Sequence, residues 1–503
     1  MLTKLFGKKP DHPMADVKSA QVVLNGLPRN DALKSVMELT DWIETVAGFA
    51  ELRLADQFAV LSLLDEAAQA HARKLAYEYF TLADMRAVQG NRLCQVLSNL
   101  SRQIACAYCM LFERHRSGDK GMTSISSALL AARAVRAMRK QLKYTAVRYE
   151  VNDSALWRNL AQLYRHAEQQ QYLDTPVSLY PALSEAVSVR SEWVQLMAWY
   201  ACGVNSMSPR SMHLAERIIT LYRNTIAVSE SLTGLSLFSF NLSRTDAPIR
   251  VNADATTHSL MRYISMADMQ EKLKVLIQIL EKNIVPQELN LDGAFTVDWV
   301  LEAARHVLTY LVSPPVRRSN RREFKGLLNV VTGCEKVFAR CAGRENGEQM
   351  QISLENASAS GFLAVLSGRG AGGVHIGHLL GMQSVAVPHW GVAIVRRLSR
   401  DAEGRLRVGA ELLSNRVSEV MLRQSVADGY DNGRSALWLH AKSGSDTGIV
   451  RLLMQADRFS MQRSLKTCFE GKNYLLIPEA LQEKGMDYDL ASFRVIEQEE
   501  SEG

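Results

Sequence analysis

Residues 314–326 read Pro314-Pro315-Val316-Arg317-Arg318-Ser319-Asn320-Arg321-Arg322-Glu323-Phe324-Lys325-Gly326, and they divide the chain into two textures. Upstream, apolar residues recur at helical spacing; downstream they alternate by two. Two consecutive prolines stop a helix, because proline has no amide donor and disfavours the helical conformation of the residue before it. Four arginines then fall within six positions. Guanidinium forks match phosphate oxygens and the O6/N7 edge of guanine in bidentate fashion, so the cluster suits an anionic ligand. A solvated linker is the plainer account of the same residues.

From about residue 29 to residue 310 the pattern is helical. Proline is absent between Pro28 and Pro176, and good helix formers dominate. The segment 30–46, "NDALKSVMELTDWIETV", opens with Asn30 or Asp31 as a cap and then repeats apolar residues at helical spacing. Residues 54–80 and 84–115 read as long amphipathic helices, and shorter ones are expected around 122–148, 153–170, 180–201, 209–232, 256–283 and 296–311. No repeat of fixed period supports a solenoid.

After the prolines, short runs of period two alternate with Gly, Ser and Asn turns. "LLNVVTGCEKVFARC" (327–341), "QMQISLEN" (349–356), "GFLAVLSG" (361–368), "SVAVPHWGVAIVRRLSR" (384–400) and "LRVGAELLS" (406–414) read as strands, with a hairpin turn in 400–408. Such strands form an antiparallel barrel or sandwich. A further β-rich stretch follows in 435–442, 447–455, 464–477 and 492–499. The expected fold class is therefore multidomain α+β: a disordered tail over 1–20, an all-α domain over 21–312, a barrel with its arginine linker over 313–428, and a small β-rich module with an acidic tail over 429–503.

Composition limits the function classes. At 503 residues the chain is long enough for two to four domains. A content of 47% hydrophobic and 22% charged residues is that of a globular protein. The net charge of +6, from 59 basic and 53 acidic residues, is too mild to argue for nucleic acid, so local clusters must carry such a case. Seven scattered cysteines suit reduced thiols and a cytoplasmic location. Cys106 and Cys109 stand in a helical pattern with no second pair to complete a zinc site. No run of apolar residues is long enough for a signal peptide or a membrane span.

In "LENASASGF" (354–362), Asn356, Ser358 and Gly361 form an N-x-S-x-x-G pattern between two expected strands. Asn356 and Ser358, two apart, share a face of the strand. An R-x-x-x-R linker followed 30 to 40 residues later by [DN]-x-S-x-x-G on a barrel strand resembles the PilZ domain, a bacterial receptor for cyclic di-GMP. The segment 391–413 resembles that family's closing hairpin. The resemblance covers roughly residues 314–425. It implies that Arg317 or Arg318, with Arg321 or Arg322, grips guanine and phosphate. It implies that Asn356 and Ser358 hydrogen-bond the ligand and that Gly361 shapes the turn. Arg396 and Arg397, on a neighbouring strand, either add charge or lie on a solvated face.

Other motifs are weaker. "GRGAGG" (Gly368, Gly370, Gly373) fits a dinucleotide pattern but lacks the following helix and acidic residue. His375 and His378 lack a third metal ligand. "PEAL" (478–481) lacks the continuation of the cyclic di-GMP phosphodiesterase class it spells. Arg133, Arg136, Lys140 and Lys143 form one helix stripe, read as a solvated face or as a surface for a partner or nucleic acid.

No constellation for catalysis is present, so the expectation is a non-catalytic, cytoplasmic signal-transduction protein needing no cofactor. Its ligand would be cyclic di-GMP. Binding would order the linker and turn the helical domain toward a downstream protein partner. Two other readings remain: a ligand-free protein–protein scaffold with a degenerate PilZ barrel, and a nucleic-acid-binding regulator using the basic stripe.

Overall fold

The computed structural model describes residues 12–498 apart from 29, 82–86, 120, 152, 183–184, 253–256, 291–292, 316–319, 345–348, 367–372, 386, 427–428, 431–432 and 441–447. The chain divides into two compact units, Met1–Pro315 and Val316–Gly503.

The first unit runs α1 (Val17–Asn25), α2 (Ala32–Ala47), α3 (Leu54–Thr81), α4 (Ala87–Arg116), α5 (Ser124–Val147), α6 (Ser154–Gln169), α7 (Val189–Ala201) and α8 (Pro209–Leu221). After a short sheet come α9 (Ala267–Glu281), α10 (Gln287–Asn290) and α11 (Val297–Val312). The starts are set by side-chain caps. Asp31 accepts from the Lys34 amide, Thr123 from Ser126, and Ser208 from Ser211 ahead of Pro209 in the first turn. At the start of α7, Ser188 and Ser191 bond each other's backbone amides reciprocally. The core of the unit is continuous, with Trp193, Trp199, Tyr108 and Tyr164 almost wholly buried.

The unit is not all helix. Strands β1 (Ala227–Ser229), β2 (Ser236–Asn241), β3 (Ile249–Arg250) and β4 (Met261–Ser265) form an antiparallel sheet in the order β1-β4-β2-β3. This corrects the all-α reading of 21–312, and in particular the single helix expected over 256–283; the disordered tail expected over 1–20 is corrected at its end too, since α1 starts at Val17 behind the Asp16 cap and buries Ala20. In β2, Phe238 and Phe240 stand two apart and are both buried, the period of a strand. That signal is short and is flanked by longer helical runs.

In the second unit, β5 (Arg322–Thr332), β6 (Met350–Ser358), β7 (Gly361–Leu366), β8 (Leu379–Ser384), β9 (Gly391–Arg400) and β10 (Leu406–Ser414) close a barrel in the order β10-β7-β6-β5-β8-β9. All six pairings are antiparallel. Helix α12 (Cys334–Cys341) interrupts the run read as one strand over 327–341. Cys334, Val337 and Phe338 are its buried apolar residues, at i, i+3 and i+4, so the period changes at Gly333.

Strand β11 (Val417–Leu422), assigned to the barrel by sequence, hydrogen-bonds elsewhere. It begins a second antiparallel sheet with β14 (Arg434–Leu439), β15 (Ile449–Gln455), β16 (Leu465–Phe469), β17 (Lys472–Lys484) and β18 (Tyr488–Gln498), in the order β11-β14-β15-β18-β17-β16. A small ribbon, β12 (Ser425–Val426) with β13 (Gly429–Tyr430), stands apart. Barrel and sheet share a core in which Val331, Val337 and Ile394 cluster with Leu437, Leu453 and Tyr488.

Candidate functional site

Ladder pairing brings Arg321 and Arg322 to the N-x-S-x-x-G strand. Register sets Arg322 opposite Ala357 and Glu323 opposite Asn356. Arg321, just ahead of β5, donates from Nη1 to Asn356 Oδ1 at 3.1 Å. Arg322 is exposed and Arg321 half-buried. Two register shifts flank the meeting point: between Glu323 and Gly326 on β5, and between Leu354 and Asn356 on β6. Such irregularities bend a strand and re-aim its side chains. Arg317 and Arg318 lie outside the described residues, so the structure places half of the expected cluster.

Ser358 and Gly361 sit at the two ends of the β6–β7 turn. Ser358 Oγ donates to the Gly361 carbonyl at 3.1 Å and accepts from the Ser360 amide at 3.4 Å. Gly361 is required for room. A Cβ there would stand 2.3 Å from the Ala410 carbonyl oxygen, where β7 meets β10. The glycine thus serves barrel closure as well as the turn.

Neighbouring charge is largely neutralised. Arg396 bonds Glu411 at 2.8 Å and Glu483 at 2.8 and 2.5 Å, so it does not lend charge to a ligand. Arg407 pairs with Glu355. Arg397 is exposed. The rings of His375 and His378 lie 4.8 Å apart, yet among the described residues no group of three or more potential metal ligands occurs. Residues 368 and 370 of the glycine run lie outside the described residues, and residues 478–481 lie within strand β17. Cys106 and Cys109 are free thiols on α4, and burial pushes Cys109 up to about 12.

The basic stripe on α5 is not a solvated face. Arg133 is 3% exposed and bonds Glu66 and the Leu179 carbonyl. Arg136 forks onto Glu192 at 2.5 and 2.6 Å, and Lys143 bonds Glu216 at 2.5 Å. Arg139, one residue before Lys140, is also buried, 3.7 Å from both Glu192 and Glu216. This removes the support for a nucleic-acid surface there. The carboxylates come from α3, α7 and α8, more than 50 residues away, which local spacing does not reveal.

Among the described residues, no helix is long and apolar enough to cross a membrane. Residues 18–231 match the family model described as the N-terminal domain of the cyclic-di-GMP receptor FimW. The match covers less than half of the chain and lies in the helical unit rather than in the barrel, where the PilZ-like motifs stand. Among curated proteins, none matches the chain.

Proposed function

We propose that the chain is a non-catalytic receptor for cyclic di-GMP, with the ligand held between the linker arginines and the face of β6 that carries Asn356 and Ser358. The observation that carries this reading is the Arg321–Asn356 hydrogen bond, which joins two sequence motifs 35 residues apart. Cyclic di-GMP presents two phosphates and two guanines, the acceptors that guanidinium forks select. The likeness of residues 18–231 to a cyclic-di-GMP receptor's N-terminal domain supports the same ligand from the other unit. Binding draws the linker onto the barrel rim, and the change in the linker is the signal passed to the helical unit, which offers a surface to a protein partner.

The arginines are the test. A charge-assisted hydrogen bond contributes about 1.5–3 kcal/mol. Arg321→Ala combined with Arg322→Ala is expected to weaken cyclic di-GMP binding at least ~100-fold, with little change in melting temperature. Comparing the pair Arg317→Ala and Arg321→Ala with the pair Arg318→Ala and Arg322→Ala identifies the register that carries the ligand. If all four arginines can be removed and affinity stays within ~3-fold, the linker is only a solvated charge run.

A further inference from the structure

The helical unit holds a cleft of about 870 Å3, within the range of roughly 300–1,000 Å3 common for small-ligand sites. Its walls differ in chemistry. Helices α3 and α4 contribute Ala76, Leu97, Leu100 and Ile104; helices α5 and α8 contribute Arg139, Lys140, Lys143 and Arg217.

The cations of that second wall outnumber their partners. Glu192 and Glu216 are shared among Arg136, Arg139 and Lys143. Lys140 bonds the neutral Gln69 Oε1 at 2.6 Å, and Arg217 bonds a backbone carbonyl, that of Glu288. Neither forms an ion pair among the described residues. The Nε groups of Arg139 and Arg217 are buried with no hydrogen-bond acceptor among those residues. Cations left this way in a partly dehydrated cleft are costly, and an anion carrying several oxygens would satisfy them together. Burial pulls the Lys140 ammonium down to about 8, against the opposing influence of the Asp65 and Glu216 carboxylates. A purely inorganic anion would leave the apolar wall against water.

We propose that this cleft is a second binding site, for a small organic anion: a phosphate or carboxylate head held by Arg139, Lys140 and Arg217, with an apolar or aromatic body against Ala76, Leu97, Leu100 and Ile104. The site is formed within the helical unit alone and does not depend on the reading of the barrel.

The test is calorimetric titration of the full chain with three probes. Guanosine monophosphate represents a nucleotide source, dodecanoate a fatty-acid source, and inorganic phosphate the head alone. One of the two organic probes is expected to saturate a site, and inorganic phosphate to bind at least ~10-fold more weakly, since it lacks the apolar body. Lys140→Met should weaken the organic probe at least ~10-fold. Lys140→Gln takes its place should the first variant fail to fold. Ala76→Phe, which narrows the apolar wall and leaves every cation in place, should weaken it comparably. The Arg321→Ala, Arg322→Ala double variant should leave it within ~3-fold, which separates this site from the barrel. The proposal is overturned if neither organic probe saturates up to its solubility, if inorganic phosphate binds equally well, if affinity survives the cleft variants, or if it is lost in the linker variant.

Discussion

Gly361 and Ser358 act on one turn by different means, so their substitutions should differ in kind. Gly361→Ala forces a methyl against the Ala410 carbonyl, which is backbone and can move only with strand β10. Overpacking of this sort costs about 1–3 kcal/mol, so the melting temperature of the second unit is expected to fall. Ser358→Ala removes the neutral hydrogen bond proposed between this hydroxyl and the ligand, worth about 1 kcal/mol. It should weaken ligand binding by about that amount and far less than the double arginine variant, as calorimetry would show. Such residues were legible in the sequence because the motif is local: spacing by two sets Asn356 and Ser358 on one face, and a known linker pattern points at them. The cleft residues were not. Lys140 was read in a stripe, but the carboxylates that neutralise its neighbours and leave it without one stand far along the chain, at Glu192 and Glu216. Arg139 and Arg217 carry no local signal at all.

Helix α5 is the element on which the helical unit turns, since its basic side chains are buried rather than solvated. Glu192 is fully buried and holds Arg136 in a fork. Removing one partner of a buried pair leaves an uncompensated charge, so Glu192→Ala is expected to lower unfolding stability by about 3–5 kcal/mol, measurable by chemical denaturation. Burial also lowers the pKa of His115, His166, His213 and His306 below the ordinary 6.5; at His213 the adjacent Lys143 adds to the effect. The unfolded chain therefore binds protons that the folded unit refuses. Stability is full above about pH 6.5 and falls as pH drops through it. Thermal melts from about pH 7 to about pH 5 should show this decline. His213→Gln, which keeps an acceptor for Lys143, should lessen it. At this scale the long helices and most barrel strands were evident from periodicity. Among the failures were short elements whose period is outvoted by their surroundings, such as β2 and β4 among helices and α12 among strands, and β8, whose residues 379–383 read as part of a glycine-rich loop.

Across the whole molecule, the double proline falls where one compact unit ends and the next begins, at Pro315 and Val316. A chain cut there should yield a helical fragment that folds by itself, because its core is continuous within the unit. That fragment should not bind cyclic di-GMP; binding as tight as that of the full chain would move the receptor site out of the barrel. The second sheet was legible as β structure, but its claim on β11 was not, because strand order depends on pairing that local alternation leaves open. The most direct measurement is calorimetric titration of the full chain with cyclic di-GMP, beside guanosine monophosphate as a comparison. The account predicts saturable heat with micromolar or tighter affinity for cyclic di-GMP, much weaker binding of the mononucleotide at the site that the Arg321→Ala, Arg322→Ala variant abolishes, and a rise in melting temperature at saturation. Absence of both heat and thermal shift at saturating cyclic di-GMP would contradict it.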